Sequence, residues 1–213
     1  MKRYLPFVIV AVVLLGTLSL GVALYRSHLP PPVPTVGDPG AEPAHTRGET
    51  RAPAVLEEFG DFQCPPCGKL APDIDALDKK FGRKLRVVFR NFPLAMHKNA
   101  MPAARAAEAA GMQNKFWEMH RMLYETQPAW SDSPDPLASF EKYAAKIGLD
   151  LARFKADMKS EQVNARISAD QRRGKSIGVE STPTIFVNNQ RVQAGPGVAE
   201  RLSNAIDAAL TKK

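Results

Sequence analysis

The only two cysteines of the chain, Cys64 and Cys67, are separated by Pro65-Pro66. Two sulfurs this close can shut a small ring, but they cannot tie distant segments together. No third cysteine is present to build a framework with either. The fold must therefore rest on a buried apolar core, which 213 residues with 44% hydrophobic content can supply. Sulfur chemistry concentrated at one point reads as redox catalysis more readily than as stapling.

The charge pattern narrows the function classes. A net charge of +7 is spread thinly over the chain. No Lys/Arg block is interleaved with aromatic residues, which argues against nucleic-acid binding. Arg172-Arg173 and Lys175 read as a solvated face. A mild basic bias suits the neighbourhood of an anionic membrane surface instead.

The N-terminus speaks to the compartment. Met1-Lys2-Arg3 precedes an uncharged run from Tyr4 to Tyr25. That run is long enough to cross the roughly 30 Å hydrocarbon core as a helix. A secretory signal has an apolar region of only about 7–15 residues, although Gly21-Val22-Ala23 could serve as its cleavage site. Length favours a single-pass anchor in the cytoplasmic membrane over residues 1–28. Lys2 and Arg3 would stay cytoplasmic and everything after Arg26 would lie on the periplasmic, extracytoplasmic side. Residues 29–53 open on Pro30-Pro31-Pro32-Val33-Pro34 and lack apolar periodicity, which predicts an extended Pro-rich spacer. A disulfide can persist outside the cytoplasm, so location and cysteine pair agree.

The folded part is expected over 54–213. Ala54 to Phe59 has strand character and runs into the cysteines. Gly68 to Phe81 follows a helical pattern through Leu70, Ile74, Leu77 and Phe81, with Pro72 inside it. Leu85 to Arg90 reads as a second strand. A helical block follows, from the alanine-rich stretch at Asn99 to Ala110 through the faces of Phe116 to Tyr124 and Leu137 to Ile147. Asp150 is placed to cap a short helix holding Leu151 and Phe154. Ile185-Phe186-Val187 and Arg191-Val192-Gln193 read as a hairpin, and Val198, Leu202, Ile206 and Leu210 as a final helix. The order predicts an α/β core interrupted by a helical insertion at about 95–169.

Four features in the right order carry a family resemblance. They are the segment Phe59-Gly60-Asp61-Phe62-Gln63-Cys64-Pro65-Pro66-Cys67, Pro72 beyond it, Thr182-Pro183-Thr184 before a strand, and the helical block. Together they resemble the thioredoxin superfamily, and within it the DsbA-like thiol–disulfide oxidoreductases. The resemblance implies a thioredoxin-like fold with Cys64 and Cys67 as its redox pair, and with no metal or organic cofactor. It also implies a cis peptide before Pro183, a buried acid at Glu58, and a substrate site at Thr182 and Pro183; Phe62 and Gln63 could line the same groove, with core packing the alternative for Phe62.

The local chemistry can be read beside that resemblance. With Cys64 capping a helix that begins at Pro65, its sulfur lies where the helix dipole is positive. Pro65 and Pro66 lack N–H groups, so a Cys64 thiolate must rely on later donors such as the backbone N–H and thiol of Cys67. No charged or imidazole side chain separates the cysteines. The disulfide should then be a weaker oxidant than one at about −120 mV, the value for DsbA. Cys67 would be the resolving thiol. Glu58, or Glu57 on the opposite strand face, would exchange its proton. The Thr182 hydroxyl could bond the Cys64 sulfur, and backbone near Pro183 could pair with a substrate strand. His97 and His120 beside a C-x-x-C make only half a zinc site, so core or cap roles are preferred for them.

The resulting expectation is an oxidoreductase acting on cysteine-containing exported proteins and reoxidised by a membrane partner of quinone-reducing type. A reductase or isomerase of the same fold, served by a thiol reductant, stays open. So does a non-enzymatic binding module or chaperone with a structural disulfide.

Overall fold

The computed structural model describes Gly21 and residues 37–211. Apart from Gly21, the apolar run at 4–25 expected as an anchor lies outside the described residues, as does the start of the Pro-rich stretch. Among the described residues, no helix is long and apolar enough to cross a membrane.

Those residues form a sheet of five strands in the order β1-β3-β2-β4-β5: β1 (His45–Gly48), β2 (Ala54–Gly60), β3 (Leu85–Asn91), β4 (Thr184–Val187) and β5 (Gln190–Val192). β2 and β3 are parallel because α1 (Pro65–Phe81) crosses over between them, whereas the other neighbours are antiparallel. After β3 come α2 (Ala100–Gly111), α3 (Phe116–Glu125), α4 (Gln127–Trp130), α5 (Leu137–Lys146), α6 (Leu151–Asp157) and α7 (Glu161–Ser176). After β5 comes α8 (Val198–Thr211). The α/β order with a helical insertion is the one expected.

Strand alternation divides the core between the two sheet faces. Ala54 and Leu56 of β2 pack with Leu70, Ile74, Leu202 and Ile206 of α1 and α8. Phe59, offset by an odd number of residues, packs with Phe92, Ile177, Val179 and Phe186 on the opposite face. Each such apolar side chain contributes about 1.5–3 kcal/mol when taken fully out of water. The insertion shares a core with the cysteine loop and β3, in which Ala103, Ala106, Ala107 and Ala110 of α2 pack with Trp130, Phe140 and Phe154 and with Phe62, Cys67 and Phe89. Asp150 does cap α6, its side chain accepting the Arg153 N–H.

Two boundaries and one element differ from the sequence expectation. The described part of the stretch read as spacer, residues 37–53, contains β1, which pairs with the edge of β3 from His45↔Phe89 to Gly48↔Arg86. Ala41 is buried there, its N–H donated to Asp170 at 2.9 Å and its carbonyl accepting from Arg90 at 2.7 Å. The expected insertion end near 169 falls inside α7, which runs on to Ser176 and puts Gly174 against Phe92 and Phe59. α7 thus serves both parts, Val163 and Ile167 packing with the insertion and Gly174 against the sheet. α4, a single turn with Pro128 near its start, carries no apolar periodicity and was not foreseen.

Candidate active site

The end of β2 delivers the chain to the site. Cys64 is the N-cap of α1, in extended backbone at φ −70° and ψ 118°, with Pro65 and Pro66 opening the helix. Neither proline can donate an N–H to the Cys64 sulfur, and the Cys64 carbonyl accepts from Cys67 at 3.1 Å and Gly68 at 3.2 Å as at any helix start. Pro65 and Pro66 are exposed, Cys64 is 5% exposed, and Cys67 is fully buried one turn inward. Both cysteines are reduced.

The two sulfurs are held in different states. Cys64 is pulled down to about 6, chiefly because the Cys67 thiol donates to its thiolate. The Thr182 side chain and the Cys67 backbone N–H add to this, against burial and the charge of Asp61. Cys67 is pushed well above the ordinary thiol range by burial first, then by the neighbouring Cys64 and Glu58. One sulfur is therefore prepared to ionise near neutral pH and the other to keep its proton.

The Thr182–Pro183 peptide is cis and brings this loop to the sulfur. The Cys64 thiol donates to the Thr182 backbone carbonyl at 3.3 Å, and the buried Thr182 hydroxyl, with no other partner, is placed to donate to the sulfur once Cys64 ionises. Beside Pro183 a groove of about 450 Å³ runs between α1 and the turn before α8, lined by Pro66, Lys69, Leu70, Pro196 and Val198.

Glu58 and Glu57 occupy opposite sheet faces, and the two environments diverge. Glu58 is 2% exposed and its Oε1 has no partner. Burial pushes its carboxyl up to about 8, opposed by Arg47 and assisted by Cys64 and Asp75. Glu57 is also buried, yet Arg173 and Arg90 bond it at 2.7 and 2.9 Å and hold it below the usual carboxylate range despite its burial. Of the two, Glu58 is the acid on the cysteine side.

Phe62 takes the packing role rather than a groove wall, and Gln63, expected at the groove, is buried beside it. Phe62 is 1% exposed and packs against Phe89, His120 and Tyr124. Gln63 turns inward too, donating to the Ser131 carbonyl at 2.8 Å and accepting the Asn99 N–H at 2.6 Å. His120 sits in the same aromatic cluster, driven down to about 3 chiefly by burial. Among the described residues, no three potential metal-ligating side chains gather.

Other residues that build the site were missed in the sequence. Gln127 of α4 donates to the carbonyls of Phe62 at 2.6 Å and Cys64 at 3.0 Å, pinning the loop that carries the nucleophile. Gly68 makes room for it, since a Cβ there would lie 2.8 Å from the Gln127 amide oxygen. Asp61 accepts the Gln63 and Leu94 N–H groups and meets His97. These partners stand 33 or more residues apart, except within the loop, and no local pattern marks them.

The geometry has counterparts in known proteins. The thioredoxin family model matches residues 41–208. The chain is 38% identical over 210 residues to the Na+/H+ antiporter NhaA 1 of Mycobacterium sp. strain KMS, covering 94% of this chain but 33% of that relative. The chain thus spans about a third of the length of the curated relatives it matches. A thioredoxin-like oxidoreductase from Silicibacter pomeroyi superposes with a TM-score of 0.68 at 25% identity, covering 80% of this chain and 94% of that one. The α-DsbA1 of Wolbachia pipientis superposes with a TM-score of 0.70 at 19% identity, over 80% and 94% of the two chains. The chain belongs to the thioredoxin family, and it joins the fold it shares with α-DsbA1 to a cysteine pair of its own at Cys64 and Cys67.

Proposed function

We propose that this thiol–disulfide oxidoreductase works as an oxidant of cysteine-containing exported proteins, held outside the cytoplasm by its N-terminal run. The observation that carries the reading is the asymmetry of the pair: Cys64 lowered to about 6 at the helix cap, Cys67 raised and buried behind it. Stabilising a thiolate in the reduced protein makes the corresponding disulfide more oxidising.

In the oxidised protein, a substrate thiolate attacks the Cys64 sulfur. The Cys64–Cys67 bond breaks and Cys67 leaves, taking up a proton. Glu58, protonated up to about pH 8, is the buried acid placed to supply it. A second substrate thiolate then attacks the substrate sulfur of the mixed disulfide. That closes the substrate's disulfide, releases Cys64 as a thiolate, and leaves this protein reduced by two electrons. A membrane partner of quinone-reducing type would restore the disulfide. The groove beside Pro183 offers apolar walls to an incoming chain, and the Lys69 ammonium at its rim admits polar segments. No organic cofactor or metal enters the cycle.

Antiport is not carried over from the longer relatives, because the match covers a third of their length. The experiment that tests the proposal is a Cys67→Ala trap in the native host. Mixed disulfides through Cys64 to exported proteins should accumulate, and Cys64 should be mainly oxidised in the parent. A parent found mainly reduced would reverse the direction to reductase or isomerase. Absence of any mixed disulfide would leave a binding module.

A further inference from the structure

Asp61 and His97 form a pair that the cycle above does not use. Asp61 lies three residues before Cys64, with its carboxylate fully buried. Its Oδ1 accepts the Gln63 N–H at 2.7 Å, and its Oδ2 accepts the Leu94 N–H at 2.9 Å and lies 2.7 Å from His97 Nδ1. Its own backbone carbonyl accepts the Cys64 N–H at 3.0 Å. One residue thus joins the loop that carries the nucleophile to the loop that follows β3.

This placement has an electrostatic cost. A buried carboxylate close behind a sulfur that must ionise sets two like charges in a low-dielectric region, and Asp61 does oppose the Cys64 thiolate. Of the three donors to Asp61, two are neutral backbone N–H groups. Only His97 can bring a positive charge. Its side chain is 20% exposed, on the wall of an open groove of about 660 Å³ that also carries Lys98, Lys175 and Glu180. The imidazole thus reaches solvent on one side while its Nδ1 holds a carboxylate that solvent does not reach.

We propose that His97 is a positioning residue that sets how readily Cys64 ionises, by offsetting the charge of the buried Asp61 carboxylate. It does not touch the sulfur and acts only through Asp61. The proposal rests on Cys64 being the attacking sulfur. That reading stands or falls with the mixed-disulfide trap, whereas this one is decided by titration.

The test is the pH titration of Cys64 by ultraviolet thiolate absorbance in the reduced protein and in His97→Ala, His97→Asn, Asp61→Asn and the double variant His97→Ala/Asp61→Asn. The other groups that face Cys64 are Cys67 on α1, Glu58 on β2 and Tyr124 on α3. They are common to all five proteins, as are Lys98, Lys175 and Glu180 around His97. Both His97 variants should lower the thiolate fraction below the midpoint, because the Asp61 charge that opposes the Cys64 thiolate is then no longer offset. Asp61→Asn should raise the fraction, and removing His97 in that background should change nothing further. Asparagine keeps an N–H where Nδ1 was but cannot carry charge. A His97→Asn protein titrating like the parent would overturn the proposal, as would an equal His97→Ala effect with Asp61 absent. Should Asp61→Asn not fold, the comparison of His97→Asn with the parent decides alone.

Discussion

Glu57 and Glu58 are consecutive on one strand, both buried, and their carboxyl groups are driven in opposite directions. Two arginines clamp Glu57 and keep it ionised, while Glu58 meets the underside of the cysteine pair with one oxygen unpartnered. The alternation of β2 alone separates a structural ion pair from a candidate proton donor.

Glu58 should leave a mark on stability against pH. Its folded value of about 8 lies above the ordinary 4.5, so the folded protein binds the proton more tightly than the unfolded chain. The stability linked to that proton is complete below about 4.5 and is lost as pH rises through about 8. By pH 7 the loss is on the order of 3 kcal/mol. The difference in denaturant stability between Glu58→Gln and the parent should therefore grow in favour of the variant from pH 5 to pH 8. In the same variant, exchange at the disulfide should slow, because Cys67 loses its proton partner. A difference that does not vary with pH would remove Glu58 from the proton path.

The Cys67 thiol is the largest support of the Cys64 thiolate, so its loss should be read at the other sulfur. Cys67→Ala should move the Cys64 titration midpoint from about 6 toward the ordinary 9.0. Cys67→Ser, which keeps a hydroxyl donor, should fall between the two. Alkylation rate against pH measures this directly. Equal midpoints in all three proteins would place the support elsewhere, at the helix dipole or at Thr182.

The reduction potential should be intermediate. A Cys64 value near 6 lies between the nucleophilic cysteines of DsbA, about 3.5, and thioredoxin, about 7. Equilibration with glutathione should then give a potential between about −120 and −270 mV. A value at or above the first figure would contradict the weakening assigned to Pro65-Pro66.

A chain begun at Ala54 should fold poorly, and one begun at Gly37 should not. The shorter one loses β1 and uncovers the edge of β3. It also strips Asp170 and Arg90 of their bonds to Ala41, and Glu108 of its bond to His45 at 2.9 Å. Breaking buried charge networks of this kind costs roughly 3–5 kcal/mol. Thermal melts of the two chains check the boundary.

How far the sequence could be read follows from where each partner sits. The cysteine motif, the helix phases of α1 and α8 and the Asp150 cap are written locally, in spacing and residue type. β1 is not. His45, Thr46 and Arg47 show no apolar alternation, and their partners are distant: His45 bonds Glu108, the Thr46 carbonyl accepts from Trp117, and Arg47 lies over the Trp117 ring at 4.8 Å. Phe62 and Gln63 were drawn to the groove by their nearness to Cys64. Their orientation is decided by Phe89, Asn99 and Tyr124, which reach them only in the folded chain. Gln127 likewise bonds residues more than 60 positions away.

The central claim is one ionisable, reachable sulfur backed by a protonated one, and alkylation of the reduced protein across pH, followed by mass spectrometry, tests it most directly. The account predicts labelling at Cys64 alone, with a rate midpoint at about 6. A midpoint near the ordinary 9.0, or equal labelling of Cys64 and Cys67, would contradict it.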